Sequence, residues 1–150
     1  MTVTEMETCG PLLSEEVNMQ GINPATWGAS CADTRVTHVA AIDPGFVWGL
    51  ASMDVTNLVP STLVIGLGGD GDRMLATDRD RSGLSSHLGN RRLGRFDPAC
   101  YFNAMPICTP SGEAILAEEK DDPVSTDPAG SDRAAIHAGI IALITKELGL

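Results

Sequence analysis

The stretch that decides the fold class is Ser61-Thr62-Leu63-Val64-Ile65-Gly66-Leu67-Gly68-Gly69-Asp70-Gly71-Asp72. A short apolar run rich in branched residues, followed by glycines, predicts a strand over about residues 62–67 that is covered on both faces. Such strands occur in the parallel sheets of α/β proteins, where functional side chains lie at the carboxyl ends of the strands. The sequence therefore predicts that Asp70 or Asp72 presents an ionised carboxylate at that edge of a sheet. The alternative is a turn-forming aspartate that hydrogen-bonds its own backbone.

Two further segments predict strands of the same sheet. Residues 35–42 are apolar on both alternating sets of positions and are followed by Asp43-Pro44-Gly45, so we expect a strand covered on both faces, with His38 facing the core. A short third strand is expected within residues 95–105, where Pro98 interrupts its beginning because proline cannot donate a ladder hydrogen bond.

Helical patterns alternate with these strands. The clearest helix follows a cap at Ser131 or Asp132 and should dock on the sheet, because its apolar residues recur at intervals of three and four. Those residues are Ile136, Ile140, Leu143, Ile144 and Leu148. Weaker helical patterns lie at residues 12–20, within 75–88 and at 113–120. The alternation predicts an α/β fold with a small parallel sheet, flanking helices and long loops.

We expect one partial domain over residues 1–150. Residues 1–31 are a loop-rich, lid-like segment, and residues 32–150 form the sheet and helix portion. Three strands make a small sheet, so at least one long apolar edge should stay open unless a second chain covers it.

The composition excludes several classes of function. The 150 residues include 20 acidic and 10 basic side chains, and the formal net charge of -10 disfavours binding to nucleic acids. The 4 cysteines have no C-x-x-C spacing, so we expect no metal site. We also expect no cofactor. In a chain of this size, we expect the cysteines to be free thiols in a reducing compartment.

The chain also gives no sequence signal for a membrane or for secretion. Its first residues are acidic and lack the basic and apolar regions of a signal peptide. No apolar run approaches the roughly 20 residues that span a bilayer. We therefore expect a cytoplasmic protein that does not enter a membrane.

Four segments, taken in order, carry a resemblance. They are Ala41-Ile42-Asp43-Pro44-Gly45, the strand 63–67 ending on Gly69-Asp70, the tract 98–108, and Asp127-Pro128-Ala129-Gly130-Ser131-Asp132-Arg133-Ala134-Ala135-Ile136-His137. Together they resemble the α/β-hydrolase superfamily, and within it bacterial predicted dienelactone hydrolases and platelet-activating-factor-acetylhydrolase-like proteins. The resemblance covers about residues 30–150 and corresponds to the carboxyl half of that fold, after the nucleophile elbow.

The resemblance implies a catalytic triad in the chain order Ser, Asp, His that cleaves a carboxylic ester or lactone. It places the acid at Asp70, with Asp72 as the second choice. The chain has no G-x-S-x-G elbow, and Tyr101 stands where the family has its histidine. A phenol keeps its proton near neutral pH and cannot accept one from a serine as an imidazole does. The family also often has a second cysteine, besides the one matched by Cys108, where this chain has Ser125.

Two other histidines follow the acid strand. We expect His87 on a helix surface and His137 in a packing or capping hydrogen bond, and no sequence pattern brings either imidazole to Asp70.

Several functions therefore stay open. The first is a hydrolase-like protein that is inactive alone, or a carboxyl half that a nucleophile-bearing partner chain completes. The second is a pseudoenzyme that keeps an apolar pocket for a small ester-like ligand around Trp27, Trp48, Phe102 and Met105. The third is an interaction module whose open sheet edge pairs with a second copy or with a partner chain.

Overall fold

The structure, a computed structural model, describes residues 18, 21, 23–27, 29, 32–45, 47, 49–69, 79–119 and 124–149. The chain divides into two compact units, Met1–Thr37 and His38–Leu150. The first unit contains the short helix α1, Pro24–Trp27, which starts where the Asn23 side chain accepts a hydrogen bond from the Ala25 amide. Most of the helix predicted at 12–20 lies outside the described residues.

Three parallel strands form the sheet of the second unit. They are β1, His38–Ile42; β2, Ser61–Leu67; and β3, Arg92–Phe96, in the spatial order β1-β2-β3. The central strand β2 is buried from its second residue onward. The predictions of a small parallel sheet and of a strand covered on both faces at 62–67 are confirmed.

The prediction for the first strand is wrong in length and in burial. β1 begins at His38, not at residue 35, and its side chains alternate between exposed and half-buried. His38 is exposed at the amino end of the strand and does not face the core. The physical reason is the place of β1 at an edge of the described sheet, where neither apolar cluster includes one of its residues.

The third strand is also displaced from its prediction. β3 covers Arg92–Phe96 and shares only residues 95 and 96 with the predicted range. Pro98 follows the strand, and residues 101–104 form a 3₁₀ turn, Tyr101–Ala104, instead of extended backbone. A strand needs a neighbouring strand to accept its backbone hydrogen bonds. In residues 101–105 the Asn103 and Met105 amides instead donate to the carbonyl oxygens of Cys100 and Phe102 within the turn.

Three helices belong to the second unit in its described ranges: α2, Leu84–His87; α3, Pro110–Glu119; and α4, Arg133–Leu148. The cap of α4 is Asp132, whose side chain accepts a hydrogen bond from the Ala135 amide at 3.0 Å. The predictions of a last helix and of an acidic helix near 113–120 are confirmed. Within 75–88, residues 75–78 lie outside the described residues.

Each face of β2 contacts its own apolar cluster. On one face, α4 docks as predicted and packs on Leu63, Ile65 and Leu67 through Ile136 and Ile140, although Leu148 is exposed. On the other face, Val64 packs with residues of the segment after β1 and with residues of α2 and its carboxyl-terminal cap. These residues are Val47, Val55, Leu84 and Leu88. The described helices include none that is long and apolar enough to cross a membrane.

Two glycines let α4 lie close to β3. A Cβ atom at Gly139 would come within 2.5 Å of a Phe96 ring carbon, and a Cβ at Gly94 within 2.6 Å of a Leu143 methyl carbon. Each glycine therefore makes room for a large side chain of the other element, and α4 is held against the carboxyl half of the sheet.

Candidate functional site

The carboxyl edge of the sheet is the first candidate site, and Asp43 organises one side of it. Asp43 follows β1 directly, is 3% exposed and has a φ of 44°, a conformation that aspartate tolerates better than most residues. Its amide donates to the Ile65 carbonyl at 2.7 Å, and its Oδ1 accepts from the Leu67 amide at 3.0 Å. The side chain therefore fastens the end of β1 to the end of β2. The sequence indicated only that Asp43 ends a strand.

The chain leaves β2 along the end of β3. The Gly68 amide donates to the Phe96 carbonyl at 2.9 Å, and a Cβ at Gly69 would lie 2.9 Å from an Asp97 carboxylate oxygen. Asp70 and Asp72 lie outside the described residues. Their role as the catalytic acid therefore stays a prediction. The part of this segment that the structure describes ends at Gly69.

Tyr101 follows the carboxyl end of β3 by five residues, in a turn that contacts both β2 and α4. It is the first residue of the 3₁₀ turn, and its side chain is 37% exposed. Its ring meets that of Phe102 edge to face, with centroids 5.6 Å apart and an interplanar angle of 77°. The phenol is thus accessible at the side of the sheet where α/β enzymes bind their ligands.

The predicted apolar pocket can be followed for two of its four residues. Phe102 is half-buried, and Met105, which directly follows the turn, is 43% exposed. Trp48 and the side chain of Trp27 lie outside the described residues.

The 3 histidines of the chain all lie in described ranges, and none stands at the Tyr101 position. His38 begins β1, at the amino end of the sheet. The Nδ1 of His87 lies 2.9 Å from the Ser52 hydroxyl oxygen. The Nε2 of His137 lies 2.8 Å from the Asn103 carbonyl oxygen, which can only accept, so His137 donates. His137 thus makes a hydrogen bond of the expected kind.

A buried polar cluster behind the turn was missed by the sequence analysis. Asn103 is fully buried; its Oδ1 accepts from the Cys100 amide at 2.6 Å, and its Nδ2 donates to Asp127 Oδ1 at 2.7 Å. Asp127 Oδ1 also accepts from the Nε and Nη2 of Arg133, at 2.9 and 2.6 Å. With the bond from His137, these contacts tie the turn after β3 to the amino end of α4.

One signal in the sequence could have revealed this cluster. Arg133 is the first residue of α4, where the helix dipole disfavours a cation. A guanidinium at that place needs a nearby carboxylate, and the preceding Asp127-Pro128 supplies it. Its other bonds go to the carbonyl oxygens of Pro106 and Val124 at 3.3 and 2.8 Å, so it also holds the loops on both sides.

A cleft of about 430 Å³ opens beside this cluster and is the second candidate site. Its walls come from the segment after the 3₁₀ turn, from α3, from the segment that precedes α4 and from the start of α4. The lining residues are Ile107, Cys108, Glu113, Ser125, Asp127, Ser131, Asp132, Arg133 and Ala134.

The cleft brings together Cys108 and Ser125, the two positions that the resemblance associates with cysteines. Cys108 and Ser125 both line it, although 17 residues separate them in the sequence. Cys108 and Cys100 are free thiols, while Cys9 and Cys31 lie outside the described residues. The cleft can therefore offer a thiol, hydroxyls and carboxylates, next to a guanidinium that is already paired.

Comparison of the chain with protein-family models, with curated proteins and with solved structures gave no match. Any assignment of function therefore depends on the geometry of these residues.

Proposed function

We propose that this chain is an α/β-hydrolase-like module, of the carboxylic ester or lactone hydrolase type, that has no catalytic base and is inactive on its own. Tyr101 carries this proposal. A phenol stands at the carboxyl edge of a parallel sheet, where the resemblance places the histidine, and the imidazoles of His38, His87 and His137 lie elsewhere. Without an imidazole at that place, a serine would have no general base.

Two further observations support the hydrolase resemblance. A terminal helix docks on the sheet behind the turn that contains Tyr101, and the two are joined by the hydrogen bond from His137 to Asn103. In addition, Cys108 and Ser125 line one cleft, as expected of two positions at which the family often has cysteines.

The same edge suggests what the module binds. Tyr101, Phe102 and Met105 place aromatic and thioether groups at the carboxyl edge, where an acyl chain or an alcohol group of a small ester could lie. The free thiols Cys100 and Cys108 favour the reducing cytoplasm as its compartment.

The first experiment tests whether the chain hydrolyses an ester and whether one of its serines reacts as a nucleophile. The chain is incubated with p-nitrophenyl acetate and with a fluorophosphonate probe. We expect hydrolysis at the buffer rate and no labelled serine. Stoichiometric labelling of one serine, with turnover lost when that serine is replaced by alanine, would contradict the proposal.

The second experiment supplies the two catalytic groups that the proposal says are missing, the histidine base and the serine nucleophile. The Tyr101→His chain is co-expressed with the nucleophile-bearing amino-terminal half of a related dienelactone hydrolase, with Tyr101→Phe as the matched control. General-base help is worth roughly 10²–10⁴-fold in rate, so the histidine variant alone should cleave p-nitrophenyl acetate above background. Equal rates for the two variants in assembled complexes would return Tyr101 to a packing role.

A second candidate function is the binding of a partner chain along β1. In a parallel pair, alternate residues point their N–H and C=O groups to opposite sides. The amide of Asp43 bonds toward β2, so Ala40 and Ile42, both exposed, direct their backbone groups away from it. In the described ranges β2 is the one strand that pairs with β1, and such an edge can accept another strand.

The second candidate function is tested by a proline substitution in β1, on the side of the strand that faces away from β2. Ala40→Pro removes one outward N–H and leaves the ladder to β2 in place, whereas Ala40→Val keeps that N–H. We expect wild type and Ala40→Val to co-purify with the nucleophile-bearing half, and Ala40→Pro, with unchanged circular dichroism, to lose it. Co-purification of all three chains would exclude β1 as the contact.

A further inference from the structure

The outer face of α4 is unusual for a helix that packs on a sheet. Five residues on that face follow the spacing four, three, four, three: Ala134, Ala138, Ile141, Thr145 and Leu148. Ile141 is 64% exposed and Leu148 is 39% exposed. We call these five residues the outer stripe. A helix that is apolar on all sides is normally covered on all sides, whereas an ordinary surface helix has a charged outer face.

The outer stripe is also free of charge in a strongly acidic chain. No Asp, Glu, Lys or Arg occurs from residue 134 to residue 145, although the chain has a net charge of -10. Two copies of this protein repel each other over most approaches. Repulsion is weakest where the contact surfaces themselves are neutral, which favours α4 as the surface on which copies meet.

The outer stripe is complementary to itself under a two-fold axis. The centre of α4, Arg133–Leu148, falls between residues 140 and 141. If two α4 helices cross antiparallel at that centre, Ile141 meets its own copy. At the two ends, the small Ala134 lies opposite the large Leu148, and Ala138 lies opposite Thr145. Small side chains opposite large ones allow two helices to interdigitate without voids.

The helix dipoles favour the same antiparallel arrangement. Each end of α4 carries one charge of each sign, Asp132 and Arg133 at its start and Lys146 and Glu147 at its end, so the side-chain charges at the ends favour neither direction. The antiparallel arrangement places opposite ends of the two helix dipoles side by side. A parallel arrangement would bring like dipole ends together.

We propose that two copies of this protein associate through the outer stripes of their α4 helices, packed antiparallel about a two-fold axis at Ile141. A helix of 16 residues is about 24 Å long and about 10 Å wide, so each copy buries roughly 240 Å². This is well below the roughly 800 Å² per partner of a standard stable interface. The dimer is therefore weak and forms reversibly with concentration.

The test is sedimentation velocity of the full chain from about 10 µM to about 1 mM, a range suited to weak complexes. Ile141→Lys is compared with Ile115→Lys, because Ile115 is a similarly exposed isoleucine on α3. We expect wild type and Ile115→Lys to become dimeric as concentration rises, and Ile141→Lys to stay monomeric with an unchanged urea midpoint. A monomeric wild type at 1 mM, or a dimer that survives in Ile141→Lys, would overturn the proposal and leave another surface such as β1.

Orientation is tested by disulfide trapping between two differently tagged chains, each measured against oxidised wild type. Cysteines can bond only when their Cβ atoms lie about 3.8 Å apart. An Ala134→Cys chain mixed with a Leu148→Cys chain should cross-link in the antiparallel dimer. Preferential cross-linking of Ala134→Cys to itself would show a parallel pair and overturn the arrangement.

Discussion

At the scale of single residues, Arg133 shows how a local disadvantage is offset by tertiary contacts. The guanidinium begins a helix, where the dipole disfavours it, and its side chain is only 5% exposed. Asp127 compensates this charge at 2.6 Å, and the remaining N–H groups reach backbone carbonyls. A buried cation of this kind is tolerated only while its partners stay in place.

Removing the carboxylate should therefore destabilise the protein strongly. We expect Asp127→Ala to lower the free energy of unfolding by about 3 kcal/mol, because it leaves a buried charge without its partner. The matched control is Glu147→Ala, which breaks an ion pair to the 63% exposed Arg92 side chain and should cost less than about 1 kcal/mol. Urea unfolding measures both, and equal losses would contradict the burial-based explanation.

Ser125 allows a direct test of the resemblance. We expect Ser125→Cys to form a disulfide with Cys108 under mild oxidation, because residue 125 lines the same cleft and is the position at which the resemblance implies a second cysteine. Mass spectrometry of the digested, alkylated protein identifies the bond. Ser131→Cys, at another position on the cleft, is the control and should keep its free thiol. Bonding of Cys108 to residue 131 instead of 125 would count against the family correspondence.

In the amino-terminal unit, the ion pair between Asp33 and Arg35 makes a contribution to stability that depends on pH. The Arg35 guanidinium, which donates to both carboxylate oxygens, lowers the pKa of Asp33. A lowered pKa means that the folded state favours the ionised form. The resulting contribution is present above the unfolded pKa and is lost as pH falls through the folded value. Arg35→Gln should raise the pKa toward its ordinary value in a carboxyl NMR titration, and an unchanged pKa would exclude the ion pair as its cause.

At the scale of elements, the packing of α4 on β3 depends on two glycines, one in each element. Helix propensity alone would favour alanine at Gly139 by about 1 kcal/mol. The Phe96 ring occupies the space that its Cβ would need, at 2.5 Å, and this ring cannot move aside as a flexible chain end can. The requirement for close approach therefore overrides the local preference.

Gly139→Ala should destabilise the protein in spite of its helix propensity. We expect a net loss of up to about 2 kcal/mol in the free energy of unfolding measured with urea, the difference between an overpacking cost of roughly 1–3 kcal/mol and a propensity gain of about 1 kcal/mol. Gly112→Ala in α3 is the control, because its Cβ would meet only Thr109 Oγ1 at an ordinary 3.5 Å. That variant should be stabilised, and stabilisation of both would show that α4 can shift away from Phe96.

At the scale of the whole molecule, the net charge of -10 opposes any association of copies. Long-range repulsion between like-charged proteins is screened by salt, with a Debye length of about 10 Å at 0.1 M that shortens to about 3 Å at 1 M. Salt also weakens ion pairs across an interface, but the outer stripe of α4 has no charged residue and therefore loses little when the ionic strength rises.

Self-association should therefore increase with ionic strength. We expect the dimer fraction of the wild-type chain at fixed concentration to rise between 0.05 M and 0.5 M NaCl, as measured by sedimentation velocity. Ile141→Lys should remain monomeric in both solutions. A dimer fraction that falls with salt would indicate an interface held by ion pairs and not by the apolar stripe.

The parts of the fold that could be predicted are those that depend on local pattern. The branched run before Gly68 predicts a strand with apolar side chains on both faces, and the apolar spacing of α4 with its Asp132 cap predicts a helix with one apolar face. The identity of Tyr101, at the position where the resemblance implies a histidine, is likewise read directly from the sequence.

What only the tertiary structure decided concerns neighbours that are distant in sequence. β1 has the composition of a covered strand, yet it lies at an edge of the described sheet, because burial depends on which elements pack beside a strand and not on its own residues. The tract after β3 became a turn closed by Asn103. Asp127 and Arg133 proved to hold that turn against α4, since a hydrogen bond across 24 residues leaves no periodic trace in a sequence.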